Sequence, residues 1–307
     1  MEHFNDLVSR NDVLSINPTV ADIDITTGAS SWLWAVFSIM VFTLLITLGW
    51  AFTVPPGQRT FHYLTIAILG TASVAYFSLA ADLGATAIPV EFLHGDPIPR
   101  ATRSIWYVRY IDWVITTPLL LLELLLVSGL PLSAIFGTIF ADEVMIITGL
   151  VGALVPSTYK WGYFTFGNVA MFGVFYVLYG PGLASARRHG GEIQKTYVTG
   201  AAILSFLWFC YPISWGLCDG SNTISPAGEM VFYGVLDILA KPVFAMIHLF
   251  SMRKVDYAAL RLQSGKATDF ADTEKPVVHS TGAGAGTLKT AEANNNHSPE
   301  ATVAGHQ

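Results

Sequence analysis

Seven apolar stretches alternate with short polar connections along the chain, at about 30–53, 61–82, 104–127, 132–154, 160–180, 196–217 and 228–251. Each has the ~20 residues that a helix needs to cross the hydrocarbon core of a bilayer. The pattern therefore predicts an all-α fold, a bundle of seven transmembrane helices. No connection is long enough for a soluble domain. The longest, residues 83–103, is rich in glycine and proline and is expected to hold a small hairpin. From about residue 254 the chain becomes small and polar, as in STGAGAGTLKTAEANNNHSPEATVAGHQ. Such a segment cannot bury enough apolar surface to fold alone, so a disordered tail is expected. The domain reading is thus 1–29 as an N-terminal segment, 30–253 as the helical domain and 254–307 as the tail.

Composition agrees. Of 307 residues, 52% are hydrophobic and only 12% charged, about half the charged fraction of a soluble domain. Nucleic acid is excluded as a partner, and the lipid bilayer is implied. No cleavable signal peptide is expected, because the first 30 residues are polar and acidic. Cys210 and Cys218 lie about 12 Å apart along one predicted helix, too far for a disulfide. Arg59, Arg187, Arg188, Lys195, Arg253 and Lys254 would share one side of the membrane, against Arg100, Arg103 and Lys160 on the other. That bias places the N-terminus outside and the tail in the cytoplasm.

Charges inside the apolar stretches change the picture. The last one, VLDILAKPVFAMIHLF, contains Asp237 and Lys241, four residues apart and so on one helix face. The third, RYIDWVITTPLLLLE, contains Arg109, Asp112 and Glu123, which share a stripe with Thr116. Asp112 and Glu123 lie about 16 Å apart along the axis. A single aspartate in a membrane helix often only fixes packing. An aligned set at graded depths is the arrangement of a proton relay. A buried lysine readily loses its proton and becomes a nucleophile toward an aldehyde. Asp112 and Asp237 could then serve as counterions to the Schiff base. The sixth stretch carries WFCYPISW, which puts Trp208, Tyr211 and Trp215 on one face around Pro212, and the third adds Trp113. An aromatic stripe of this kind is either plain packing or the wall of a slot for an apolar ligand.

Together these segments resemble the microbial (type 1) rhodopsins, and among them the bacteriorhodopsin-like proton pumps. The resemblance runs from about residue 30 to 253 and rests on RYIDWVITTPLLLLE, ADEVMIITGLVGAL, WFCYPISW and LDILAK. The extended N-terminus and polar tail look like the fungal branch. The resemblance implies all-trans retinal bound covalently to Lys241 through a protonated Schiff base. It implies Asp112 as primary counterion and proton acceptor, Asp237 as second counterion, and Thr116 hydrogen-bonded to Asp112. Glu123 would be the internal proton donor, with leucines on either side favouring its neutral form. Arg109 would move between the counterions and a release group formed by Glu229 and, on a looser match, Asp219. The pocket would include Tyr76, Trp113, Thr117, Leu120, Asp142, Met145, Gly149, Trp208, Tyr211, Trp215 and Ala240. A plasma-membrane location and a homo-oligomer, a trimer or similar, are further expectations.

Four positions depart from the pattern. Glu123 stands where haloarchaeal pumps have aspartate, Phe164 where tryptophan is common, and Gly167 where a small hydroxyl residue is common. Pro242 follows Lys241 and removes the amide that would bond the Ile238 carbonyl. The combination of Asp112, Thr116 and Glu123 resembles that of outward proton pumps rather than chloride pumps, sodium pumps or sensors. The function implied is transport, not enzymatic catalysis. The rival within the fold is a slow-cycling photosensor signalling through an unknown partner. The rival from another class is a receptor coupled to a G protein, which the third-helix carboxylates disfavour.

Overall fold

The computed structural model describes residues 11–94 and 101–262. Among the described residues, seven helices are long and apolar enough to cross a membrane. They are α1 (Thr27–Ala51), α2 (Thr60–Ala80), α3 (Tyr107–Ser128), α4 (Leu132–Leu154), α5 (Lys160–His189), α6 (Gly191–Gly220) and α7 (Pro226–Met252). Large apolar side chains such as Phe42, Phe136, Phe140 and Phe206 point outward from them. In water that surface would be a liability; in a bilayer it faces lipid.

Local signals set the helix ends. Thr26 caps α1 by accepting a hydrogen bond from the Ala29 amide at 3.2 Å. Ser225 caps α7, with Pro226 in the first turn. α3 stops at Gly129, whose φ of 72° is left-handed. The turn from α5 to α6 uses Gly190 and Gly191 at φ 65° and 52°.

α3 packs between α2, α4 and α6, while α1 packs on α2 and α7. α3 is consequently the most buried of the seven, and it carries Arg109, Asp112 and Glu123 into the interior.

The expected hairpin is present as β1 (Thr86–Pro89) paired antiparallel with β2 (Thr102–Ile105). The N-terminal segment joins it. Ile23 bridges Arg103, and Thr102 donates twice to Asp22, at 2.9 Å each. These bonds hold the Asp22 carboxyl below its ordinary range. The hairpin marks one end of the bundle; α7 terminates at the far end.

Three details differ from the sequence reading. α5 does not stop near residue 180 but runs on to His189, because Leu178–Gly182 forms a π turn around Pro181. The wider turn accommodates a residue without an amide hydrogen, and the Tyr197 hydroxyl satisfies the Leu178 carbonyl at 2.7 Å. α6 begins at Gly191, earlier than expected, with a polar first turn. The start of the predicted tail is packed: Val255 and Leu260 are buried against the bundle, and Tyr257 meets Phe61 ring to ring. Their apolar spacing lets this short stretch return to the core. The rest of the predicted tail, from residue 263, lies outside the described residues.

Candidate functional site

α7 does not continue as regular α-helix through Lys241. Leu239–Val243 is a π turn with Pro242 inside it. A residue that cannot donate its amide widens the helix here. The Lys241 side chain leaves this turn into the bundle and is 1% exposed. Its Nζ lies 2.8 Å from Asp112 Oδ2 and 2.9 Å from Asp237 Oδ1. A buried charge survives only when paired, and here one cation meets two carboxylates.

The two carboxylates differ in their other partners. Asp237 accepts from the Tyr76 hydroxyl on Oδ2 and the Tyr211 hydroxyl on Oδ1, both at 2.6 Å. Asp112 Oδ1 accepts nothing among the described residues. The Thr116 hydroxyl donates to the Asp112 main-chain oxygen at 2.9 Å and also bears on that carboxyl. The reason is local: a threonine within a helix readily bonds the carbonyl four residues back.

Beyond Lys241 opens an apolar cavity with an empty volume of about 740 Å³, part of it open at the mouth. That is within the usual range for small-molecule sites. Trp113, Thr117, Leu120, Met145, Gly149, Trp208, Tyr211, Trp215 and Ala240 all line it, as the sequence suggested. Phe164 stacks on Trp215 with ring centroids 5.0 Å apart. The Trp215 indole is fixed by its bond to the Gly149 carbonyl at 3.1 Å. Gly167 lets α5 approach α4 closely, since a Cβ there would meet Thr148 Oγ1 at 3.0 Å.

Two expected pocket residues stand one layer back. Tyr76 reaches the cavity only through Asp237, and Asp142 lies behind Thr117, whose hydroxyl donates to it at 2.7 Å. Tyr110, Ile146, Asn168 and Met171 complete the wall and were missed. All four are on α3, α4 or α5. A buried amine on the wall of an apolar, aromatic-lined cavity suits a hydrophobic aldehyde, and retinal is one.

Along α3, away from the hairpin, Glu123 is fully buried. Its Oε1 accepts from the Thr65 hydroxyl at 2.6 Å, and Oε2 has no partner among the described residues. Thr65 had not been singled out. Its signal was slight: one hydroxyl at an inward position of α2.

At the hairpin end, Glu229 is held from two sides. Arg103 Nη2 meets its Oε2 and Arg109 Nη1 its Oε1, both at 2.6 Å. Arg109 also lies 4.2 Å above the Tyr233 ring. In this structure Arg109 therefore faces Glu229, not Asp112. Asp219 is buried nearby and accepts from the Tyr110 hydroxyl at 3.0 Å. Arg103 was read only as a loop charge. In fact β2 folds it inward, where Asn222 and the Ile224 carbonyl also bind it. Burial alone would lower its pKa, but the nearby Glu229 outweighs that and raises it.

Comparison with known proteins agrees with this geometry. Residues 27–255 match the family described as bacteriorhodopsin-like protein. Protein FDD123 of Trametes versicolor is 52% identical over 259 residues, covering 84% of this chain and 90% of that protein. Among solved structures, the light-driven proton pump rhodopsin CsR of Coccomyxa subellipsoidea is 38% identical with a TM-score of 0.70, covering 76% of this chain and all of that one. The light-driven proton pump LR (Mac) of Leptosphaeria maculans is 36% identical with a TM-score of 0.72, over 76% of this chain and all of that one. A buried lysine between two aspartates, on the wall of an aromatic cavity in a seven-helix membrane bundle, thus has a family around it: the chain belongs to the bacteriorhodopsin-like proteins and is a fungal type 1 rhodopsin.

Proposed function

We propose that this rhodopsin is a light-driven outward proton pump that holds all-trans retinal covalently on Lys241. The observation that carries the reading is the single cation, Lys241, set between Asp112 and Asp237 on the wall of an apolar cavity. When bound, retinal would supply light absorption and a change of shape that alters the proton affinity and exposure of the Lys241 nitrogen.

The protein's own groups then divide the work. Asp237 already holds two tyrosine hydroxyls and Lys241, so it is the anchoring counterion. Asp112 has an oxygen to spare and lies 2.8 Å from Nζ, so it accepts the proton. A proton on Asp112 removes its charge from the neighbourhood of Arg109. Arg109, Glu229 and Asp219 then pass a proton out at the hairpin end. Glu123, with no cation beside it and one hydroxyl partner, is the neutral acid that returns a proton to the Lys241 nitrogen from the opposite side. Acceptor and donor on opposite sides of one nitrogen give the transport its direction.

The orientation of the bundle supports outward transport. Arg59, Arg187, Arg188, Arg253 and Lys254 all sit at the far end. Arg103 and Lys160 at the hairpin end are buried in the protein rather than lying in free loops. On this reading the plasma membrane is the expected location.

The test is light-driven pH change in a suspension of cells that express the protein and are supplied with retinal. Illumination should acidify the medium, and a protonophore should abolish the signal. No signal, or alkalinisation, would overturn the proposal.

A further inference from the structure

Two histidines sit inside the bundle with no evident employment. His62 on α2 and His248 on α7 are 4% and 3% exposed. None of their four ring nitrogens has a hydrogen-bond partner among the described residues. Buried polar atoms are almost always paired with protein or with ordered water. Four orphans on two rings, with Glu123 Oε2 as a fifth, are more than packing explains.

Their placement is specific. His62 lies one turn before Thr65 on α2, about 4.5 Å of rise further toward the far end. Thr65 is the residue that bonds Glu123, at 2.6 Å. His248 lies seven residues beyond Lys241 on α7, displaced in the same direction as Glu123 is from Asp112. Phe61, next to His62 in sequence, packs against the His248 ring at 5.6 Å between centroids, so α2 and α7 meet at this level. His62 is also two residues from the first residue of α2, and His248 four from the last of α7, so both are near the membrane boundary. Aromatic rings enclose them: Trp50 on His62 at 5.4 Å and Phe244 stacked on His248 at 5.4 Å. The charged or titratable groups around them are Arg59, one turn before His62, and Tyr257, against Phe61.

We infer that His62 and His248 form the relay through which Glu123 regains its proton from the far side of the membrane. This rests on the proposed role of Glu123 as donor. A ring takes a proton on one nitrogen from the aqueous side and gives one from the other nitrogen, through water, to the Glu123 carboxylate. The ring ends neutral in its other tautomer, and the carboxylate ends as the neutral acid, so charge balances at each transfer. A phenylalanine at either place would fill the same space and keep the ring contacts, but could not carry a proton.

The experiment uses the full chain, with retinal, in lipid vesicles. His62→Phe, His248→Phe and the pair are followed by flash photolysis with a pH-indicator dye. Proton uptake should slow about tenfold or more in the double variant, within what loss of an acid–base group costs. Colour and the return of the proton from Glu123 to the Lys241 nitrogen should stay as in wild type. Added imidazole should restore uptake. A second readout needs no light: hydrogen–deuterium exchange of the Glu123 carboxyl, by infrared spectroscopy in the dark, should slow in the same variants. If the phenylalanine variants do not fold, His62→Gln and His248→Gln carry the test, since glutamine hydrogen-bonds without titrating and should slow uptake alike. Unchanged uptake and unchanged exchange in the double variant would overturn the relay. A wild type with no light-driven pH change but with exchange slowed by the variants would overturn the pump and leave the relay standing.

Discussion

Replacing Arg103 by glutamine tests whether the hairpin is part of the transport machinery or only a lid. Arg103 is 2% exposed and makes three short bonds: to Glu229 Oε2 at 2.6 Å, Asn222 Oδ1 at 2.6 Å and the Ile224 carbonyl at 2.8 Å. Removing one partner of a buried ion pair costs roughly 3–5 kcal/mol. Here Arg109 stays on the other oxygen of Glu229, and glutamine can still donate to Ile224. About half the penalty should remain, on the order of 2 kcal/mol, or about 30-fold in an unfolding rate or equilibrium.

The assay is loss of the visible band of the retinal-loaded protein in detergent denaturant. Arg103→Gln should lose it about 30-fold faster than wild type, and Arg103→Lys should fall between them because an ammonium cannot fork across two partners. A double-mutant cycle with Glu229→Gln should give a coupling of roughly 2 kcal/mol. Loss of the charge should also alter the timing of proton release, since Glu229 would be left to Arg109 alone. A variant within about 0.5 kcal/mol of wild type, or a coupling near zero, would refute the account, because a surface ion pair has that value.

Lys241→Ala should abolish the visible band of retinal-reconstituted protein; a retained band with a reducible adduct elsewhere would contradict the assignment. Asp112→Asn removes the unsaturated counterion, so the band should shift to the red and the light-driven pH change should vanish. Glu123→Gln should leave colour nearly unchanged but slow the return of the proton to the Lys241 nitrogen and make it depend on bulk pH, with azide restoring the rate in flash photolysis. Asp82 has its pKa raised above the ordinary 3.8 by burial first and by Asp24 second, against the lowering effect of the Trp106 indole N–H. The folded chain thus holds that proton more tightly than the unfolded one, and stability falls as pH rises from 3.8 through the raised value. Asp82→Asn should flatten that dependence in an acid titration of folded fraction.

The helical period made much of the site visible in advance. Asp237 and Lys241 are four apart, Asp112 and Glu123 share a stripe, and Trp208, Tyr211 and Trp215 share a face, so each set is fixed by 3.6 residues per turn within one helix. What one helix cannot reveal is which side chain another helix offers. Thr65 meets Glu123 across the α2–α3 contact, and Arg103 reaches Glu229 from β2 across 126 residues of chain. Tyr76 and Asp142 show the converse limit, for facing inward does not say how many layers stand between a residue and the cavity. At Pro181 a π turn carries α5 on past residue 180, where the apolar stretch ends. The same device at Pro242 lies directly beneath Lys241.

The buried acids differ in how completely they are satisfied, and that difference orders their tasks. Glu229 holds two arginines, Asp237 a lysine and two tyrosines, Asp112 the lysine and a spare oxygen, and Glu123 one threonine with a spare oxygen. An acid bound on every side is stabilised as an anion and costs most to protonate. One with an open oxygen can take a proton without breaking a bond. In the proposed mechanism the two open acids of α3 do this, the acceptor beside the Lys241 nitrogen and the donor about 16 Å beyond it. The closed ones keep the surrounding field fixed while the open ones change charge. If Asp237 lost its tyrosines it would compete with Asp112 for the same proton, and transfer would lose its single destination. On the proposed mechanism Tyr76 and Tyr211 would therefore serve direction as much as structure: by saturating one carboxylate they would leave the lysine proton one acceptor.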